Sequence, residues 1–323
     1  MPSRTVIVTD HDFESLDVEE SILRDIAEIW DLSGVTDVEF NAALAEADGV
    51  LNLRHELNAD ALARMNECQI IARYGIGVDN IAIDTAVERG IYVTNVSDYC
   101  LEEVAVHALS LLLAVARGVT TYDRSVADSE WDRGVATPLH RLSTRTVGIV
   151  GFGDIGRALA RRLDAFDVTV LASDPFLKPE DVATEPAELV PFETLLADSD
   201  YVSVHSPLTD DTRGMFGAQT FDAMRDDAVL INVARGPIVD ESALFEALES
   251  GSLRAAGLDV FNPEPPATDS PLRDHPRVVT TPHVAWYSEE ANNERRHAAA
   301  ECVRDALTGT TPENVVAGPA DGE

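Results

Sequence analysis

Lysine occurs once in this chain, at Lys178, and Lys and Arg together number only 24 against 58 Asp and Glu. The formal net charge is -34 over 323 residues. A field this negative repels nucleic acid and anionic membrane surfaces, so neither is expected as a partner. The acid is spread along the chain rather than gathered in a tail. It therefore reads as a solvated surface adapted to molar salt, where the Debye length falls to ~3 Å and self-repulsion is screened. Cysteine is also scarce: Cys68, Cys100 and Cys302 stand alone without a CxxC pair, so neither a disulfide framework nor a metal site is expected. No run approaches ~18 consecutive apolar residues, which predicts no membrane span. The opening MPSRTVIVTDHDF lacks the basic stretch, apolar run and cleavage site of a signal peptide. With 45% hydrophobic residues the chain has material for real cores and is not a disordered one. Its length suits two domains of ordinary size, and the expected location is cytoplasmic.

The first hundred or so residues alternate strand-like runs (5–9, 49–53, 70–73, 91–94) with helical stretches (19–30, 58–65, 81–89). That alternation implies a parallel sheet with helices on its faces. The segment 101–117 is a long apolar helix opening on Glu102 and Glu103, too apolar to face water all round. A second α/β pattern follows, with strand-like runs at 146–150, 168–173, 201–204, 228–233, 256–261 and 278–281 and helices such as 155–165 and 241–249. A last helix, 288–307, has no strand after it and is expected to return onto the first domain. The Gly-, Pro- and Thr-containing tail after Thr308 is expected to be loose.

The segment TVGIVGFGDIGRALARRL places Gly151, Gly153 and Gly156 in G-x-G-x-x-G spacing after an apolar strand and before a helix, and with Asp154 and Ile155 these glycines are expected to bind the cofactor. The first glycine permits the tight turn, the second lets backbone approach a pyrophosphate, and the third allows close helix–strand packing. The helix N-terminus supplies oriented N–H groups. Asp174 ends the next strand, 18 residues after Gly156. A carboxylate there accepts from the adenosine ribose and repels a 2′-phosphate, favouring NAD over NADP.

Arg235, Glu264 and His283 each fall just beyond the carboxyl end of an expected strand, where ligands bind in open parallel sheets. Reduction of a 2-keto acid needs a cation for the carboxylate and carbonyl, which Arg supplies with a planar fork of donors. It needs a proton donor for the developing alkoxide, the usual task of His, and a carboxylate beside that His stabilises the imidazolium. Taken singly, the three have plainer readings: a strand-capping arginine, surface charge in a Pro-rich loop, a turn histidine.

In these segments, and in RYGIGVDNIAI, NVSDYCLEEVAVHALSLLLA, VSVHSPLT, LINVARGPIVDESAL, GLDVFNPEP and TPHVAWYSEEA, the chain resembles the D-isomer-specific 2-hydroxyacid dehydrogenase family over nearly its whole length. The resemblance implies a Rossmann-type NAD-binding domain inserted into a flavodoxin-like substrate domain: substrate domain 1–98, NAD-binding domain 99–287, and the substrate domain again in 288–323. It implies an active site in the interdomain cleft, a homodimer formed through the nucleotide domain, and Arg235, Glu264 and His283 as the catalytic set. Hydride would move between nicotinamide C4 and substrate C2. In the family the loop matching Gly75, Ile76 and Gly77 binds the substrate carboxylate, and Asp259 matches the residue holding the nicotinamide amide. His205, Ser206 and Pro207 line the cofactor groove, with Val233 and Ala234 under the nicotinamide; His205 is expected to be a wall rather than a second acid. Arg73 and Trp286 resemble the C-terminal binding protein branch, where the matching residues contact the keto acid, although Trp286 also reads as interface core. Val104 stands where the family often has a polar residue. Formate dehydrogenases place glutamine where Glu264 stands, and the long C-terminal regulatory domain of many phosphoglycerate dehydrogenases is not seen. The competing reading is an NAD(H)-sensing, corepressor-like binding protein with little turnover.

Overall fold

The computed structural model describes residues 4–319. The chain divides into two compact units, one holding residues up to Cys100 together with those from Ser288 onward, the other Leu101–Tyr287. The second unit thus opens on the first residue of the Leu101–Arg117 helix, rather than at residue 99.

In the first unit the parallel strands are β1 (Arg4–Val8), β2 (Ala27–Asp31), β3 (Gly49–Asn52), β4 (Ile70–Arg73) and β5 (Tyr92–Thr94), in the order β5-β4-β3-β1-β2. Val6, Ile7, Val50, Leu51, Ile70 and Ile71 are fully buried. Such continuous apolar runs mark strands covered on both faces. The helix Glu289–Thr308 packs on β3, β4 and the Asp17–Leu23 helix, burying Ala299, Ala300, Cys302 and Val303. It is the return expected of the last helix.

The helix expected over 19–30 is wrong in its second half. It stops at Leu23, and Ala27–Asp31 pairs in parallel with β1, Ala27 opposite Arg4. Apolar residues at helical spacing through Trp30 mimic a continuing helix, but pairing satisfies the backbone groups along β1, and tertiary hydrogen bonding outweighs a weak local preference.

The second unit holds β6 (Thr146–Val150), β7 (Thr169–Ser173), β8 (Glu188–Leu189), β9 (Tyr201–Val204), β10 (Ala228–Asn232), β11 (Leu253–Leu258) and β12 (Val278–Thr280). All run parallel in the order β12-β11-β10-β9-β6-β7-β8. This is the doubly wound dinucleotide-binding order, and it reverses between β6 and β9. The Leu101–Arg117 helix buries Val104, Ala108, Leu111, Leu112 and Val115 within its own unit, against the Asp154–Leu163 helix and β10–β12. Gly257 makes this possible, since a Cβ there would lie 3.1 Å from that of Leu111. β11 lies three residues earlier than the expected 256–261. Its register is set by β10, and Val260 and Phe261 are apolar because they are buried in the loop beyond the strand.

The first sheet is completed by β13 (Val315–Ala317), which pairs antiparallel to β5. The loose tail expected after Thr308 is therefore an edge strand, because the outer side of β5 offers unpaired backbone groups. The last four residues of that tail lie outside the described residues. Among the described residues no single helix is long and apolar enough to cross a membrane.

Candidate active site

The glycine loop after β6 is shaped by two demands of the chain itself. Gly151 has φ +86°, and a Cβ there would lie 2.6 Å from the Ser206 nitrogen. A Cβ on Gly156 would lie 2.6 Å from the Gly151 carbonyl oxygen. Gly153 is different: it caps the Asp154–Leu163 helix, and a Cβ there would meet nothing within 4 Å. Packing does not require that glycine, so what it preserves is open space before the first N–H groups of the helix. Those groups have no partner within a helix and form an anion cradle. The donor set and the cleared approach fit a dinucleotide diphosphate.

Asp174, at the end of β7, ties this loop to the next turn. One carboxylate oxygen accepts from the Phe152 N–H at 2.9 Å and the other from the Phe176 N–H at 3.0 Å. A carboxylate has about four acceptor positions, so capacity remains for ribose hydroxyls. Across the strand-order reversal, the His205 N–H donates to the Val150 carbonyl at 2.7 Å, and the ring lies 2.8 Å from the Ser203 hydroxyl. Burial pushes the His205 pKa down to about 4, so near neutral pH the ring is uncharged.

Beyond β10, the buried Asn232 folds the chain back. Its side-chain oxygen accepts from the Ala234 N–H at 3.1 Å and its amide donates to the Arg235 carbonyl at 3.0 Å. Gly236 follows and abuts the Phe261 backbone so closely that no Cβ fits. This contact sets the Arg235 loop against the loop carrying Glu264. The Arg235 guanidinium donates to the Ala234 carbonyl at 2.8 Å.

Glu264 is held at both oxygens, one accepting from the Phe261 N–H at 3.0 Å and the other 2.6 Å from His283 Nδ1. Burial works against its charged form, yet the His283 ring, the Phe261 N–H and the nearby Arg235 charge together hold its pKa below the ordinary glutamate value. The His283 and Glu264 side chains are 32% and 33% exposed, so the pair is ordered yet within reach of a ligand.

His283 has a left-handed backbone, φ +55°, a conformation that non-glycine residues keep only when their surroundings impose it. Asp259 imposes it. Its carbonyl accepts the His283 N–H at 2.7 Å. Its buried carboxylate accepts from the Thr281 hydroxyl at 2.5 Å, the Val284 N–H at 2.9 Å and the Ala285 N–H at 2.9 Å. Asp259 is therefore first of all the anchor of the His283 loop. Trp286 completes the loop: its indole N–H donates to the His283 carbonyl at 3.0 Å, and its ring meets Tyr287 edge-on at 5.3 Å.

In the first unit, the loop after β4 has two of its carbonyl oxygens engaged by the chain. The Gly75 carbonyl accepts from the Val96 N–H at 3.1 Å and the Ile76 carbonyl from the Asn95 side chain at 2.7 Å. The N–H groups of Gly75, Ile76 and Gly77 have no partner among the described residues. The Arg73 guanidinium, steered by Asn80 at 3.3 Å, lies against Gly75 where a Cβ would clash with it. Successive N–H groups beside a guanidinium suit a carboxylate.

Three supports escape the sequence reading: Asn232, Thr281 and His107. His107 Nε2 lies 2.9 Å from the Thr281 hydroxyl and 3.6 Å from Asp259. Asn232 did leave a signal, a polar side chain closing the apolar run AVLIN.

The sequence profile of the D-isomer specific 2-hydroxyacid dehydrogenase NAD binding domain matches residues 109–285, the region that carries the cradle and the Arg235, Glu264 and His283 loops. The chain is 39% identical over 267 residues to D-3-phosphoglycerate dehydrogenase of Archaeoglobus fulgidus, covering 83% of this chain and 50% of that protein. It thus spans about half the length of the first curated relatives it matches. Glyoxylate reductase of Thermococcus litoralis is 39% identical over 278 residues, 84% of each chain. The crystal structure of D-lactate dehydrogenase from Aquifex aeolicus, complexed with NAD and lactic acid, superposes with a TM-score of 0.89 at 27% identity, covering 98% of this chain and all of that one. With the profile laid over the loops described above, and relatives matched along most of both chains, this protein belongs to the D-isomer specific 2-hydroxyacid dehydrogenase family.

Proposed function

We propose that the protein is an NAD-dependent D-2-hydroxyacid dehydrogenase working as a 2-keto acid reductase. The observation that carries this reading is the His283–Glu264 pair, 2.6 Å apart, in a loop locked by Asp259 at the same sheet end as the glycine cradle. The likeness to a glyoxylate reductase and a D-lactate dehydrogenase supports an enzyme over a corepressor-like sensor.

Gly151, Gly153, Asp154, Ile155 and Gly156 are assigned the diphosphate and Asp174 the ribose, while His205, Pro207, Val233 and Ala234 wall the groove. Nicotinamide bound there would supply the hydride at C4. His283 protonates the ketone oxygen as it gains negative charge, a general-acid role worth ~10²- to 10⁴-fold in rate. Glu264 holds the ring by Nδ1, which leaves Nε2 as the proton-bearing face, and it stabilises the charged imidazole. Arg235 orients the keto acid and polarises its carbonyl. Arg73 and the N–H groups of Gly75, Ile76 and Gly77 are assigned the substrate carboxylate. Trp286, fixed beside His283, favours a medium-sized apolar or thioether side chain, in keeping with the C-terminal binding protein branch. Asp259 contributes by holding the His283 loop, with the nicotinamide amide as its second partner.

Two further readings go with this. The net charge of -34 supports a cytoplasm at molar salt. Val119, Val126 and Trp131, exposed at 54%, 52% and 93%, lie close together in sequence within the nucleotide unit and support a homodimer through that unit. The test is NADH consumption in molar KCl against 2-keto acids of increasing side-chain size, repeated with NADPH, with the chirality of the product determined. D-2-hydroxy acid formation with NADH supports the reading. Tight NADH binding with no turnover on any keto acid would move the protein to the sensor class.

A further inference from the structure

The helix that closes the cradle opens on an acid. Asp154 is the first residue of the Asp154–Leu163 helix and is exposed. Its carboxylate makes no hydrogen bond or ion pair among the described residues. The cations that follow it on the helix are engaged elsewhere. Arg157 lies 5.2 Å over the Phe152 ring, donates to the Asp181 carbonyl at 3.0 Å and faces Glu185 at 3.6 Å. Arg161 also turns to Glu185, at 3.7 Å. Both oxygens of Asp174, the other acid of the cradle, are engaged by backbone N–H groups. The Asp154 carboxylate therefore adds, beside that of Asp174, a negative charge without a cation partner at the helix end where a diphosphate would seat. In the free protein that charge stabilises the helix through its dipole. With a dinucleotide present, carboxylate and phosphates compete for the same positive end.

We propose that Asp154 makes NAD(H) binding strengthen with ionic strength, through a repulsion between its carboxylate and the dinucleotide diphosphate that molar salt screens away. This rests on the cofactor reading above. Repulsion between phosphate charges and a carboxylate at the same helix end weakens binding about threefold to tenfold at ~0.1 M salt, where the Debye length is ~10 Å. In molar salt, where it is ~3 Å, the effect falls below about twofold. The direction is opposite to that of a phosphate site built from arginines, whose affinity falls as salt rises.

The experiment is a fluorescence titration of NADH into the wild type, Asp154→Asn and Asp222→Asn at about 0.1 M and about 3 M KCl. An excluded osmolyte holds the fold in the dilute condition, with circular dichroism as the check. Asp222, an exposed acid on the Ala218–Ala223 helix outside the cradle, controls for net charge. The expected result is an Asp154→Asn Kd about threefold to tenfold below wild type at low salt and within about twofold of it at high salt, with Asp222→Asn tracking the wild type. Equal Kd values for wild type and Asp154→Asn at low salt would overturn the proposal while leaving the cofactor reading standing. An Asp222→Asn gain as large as that of Asp154→Asn would overturn it too, by assigning the effect to net charge. Absence of NADH binding by all three proteins at both salt levels would overturn the cofactor reading and this proposal with it.

Discussion

Replacing Asp259 by asparagine changes almost no volume and removes one charge, yet the loop it anchors carries His283. The carboxylate accepts the Thr281 hydroxyl and the Val284 N–H on one oxygen and the Ala285 N–H on the other. An amide has one acceptor and one donor end. If its oxygen keeps Thr281 and Val284, its NH2 faces the Ala285 N–H and leaves a buried donor unsatisfied. Losing a hydrogen bond to a charged group removes ~1.5–3 kcal/mol, and the stranded N–H adds ~1–3 kcal/mol. The anchor therefore weakens by about 2.5 kcal/mol at least, while the left-handed backbone of His283 stores ~1–3 kcal/mol that relaxation would release. The loop should shift toward ordinary backbone geometry and misplace the imidazole. The expected outcome for Asp259→Asn is a loss of about 10²-fold in kcat, since ~1.4 kcal/mol is tenfold, together with a lowered Tm. Steady-state NADH oxidation, NADH titration and thermal melting measure the three quantities. A kcat within threefold of wild type with an unchanged Tm would refute the anchoring argument. A loss confined to NADH affinity would show Asp259 acting through the nicotinamide amide alone.

The glycine loop offers a paired test. Gly156→Ala drives a Cβ into the Gly151 carbonyl and should lower stability as well as NADH affinity, whereas Gly153→Ala meets open space and should weaken NADH binding with an unchanged Tm. Calorimetric melting beside NADH titration separates the two. His205 should make the fold acid-sensitive. Its folded pKa of about 4 lies below the ordinary ~6.5, so its contribution is fully present above the ordinary value and is lost as the pH falls toward 4. From pH 7 to pH 5 that amounts to about 2 kcal/mol, and urea unfolding of His205→Gln should show a correspondingly shallower loss. The net charge of -34 predicts a Tm that climbs steeply with KCl, and a salt-independent melting curve would contradict the molar-salt reading.

The loops that carry Arg235, Glu264 and His283, the proposed catalytic set, and the glycine loop are legible because each sits directly after an apolar run, where a parallel sheet must present its carboxyl ends. The same reasoning recovers the Leu101–Arg117 and Glu241–Ser250 helices, whose apolar periodicity is local. It fails where an edge decides the outcome. Ala27–Asp31 reads as helix until β1 is there to pair with it, and Val315–Ala317 reads as loose tail until β5 is. It also underestimates Asp259, whose partners lie 22 to 26 residues away, and misses His107, which meets Thr281 across 174 residues. Glu264 and His283 are visible as residue types in suitable loops, but the Gly236–Phe261 contact and the Asp259 anchor that hold those loops exist only in three dimensions.

The most direct test of the central claim is His283→Ala, assayed for NADH-dependent reduction of the best 2-keto acid and, separately, for NADH binding. If His283 is the general acid, turnover falls by about 10²- to 10⁴-fold while the NADH Kd stays within about twofold of wild type. Turnover equal to that of the wild type would contradict the assignment and, with it, the catalytic reading of the Arg235, Glu264 and His283 loops.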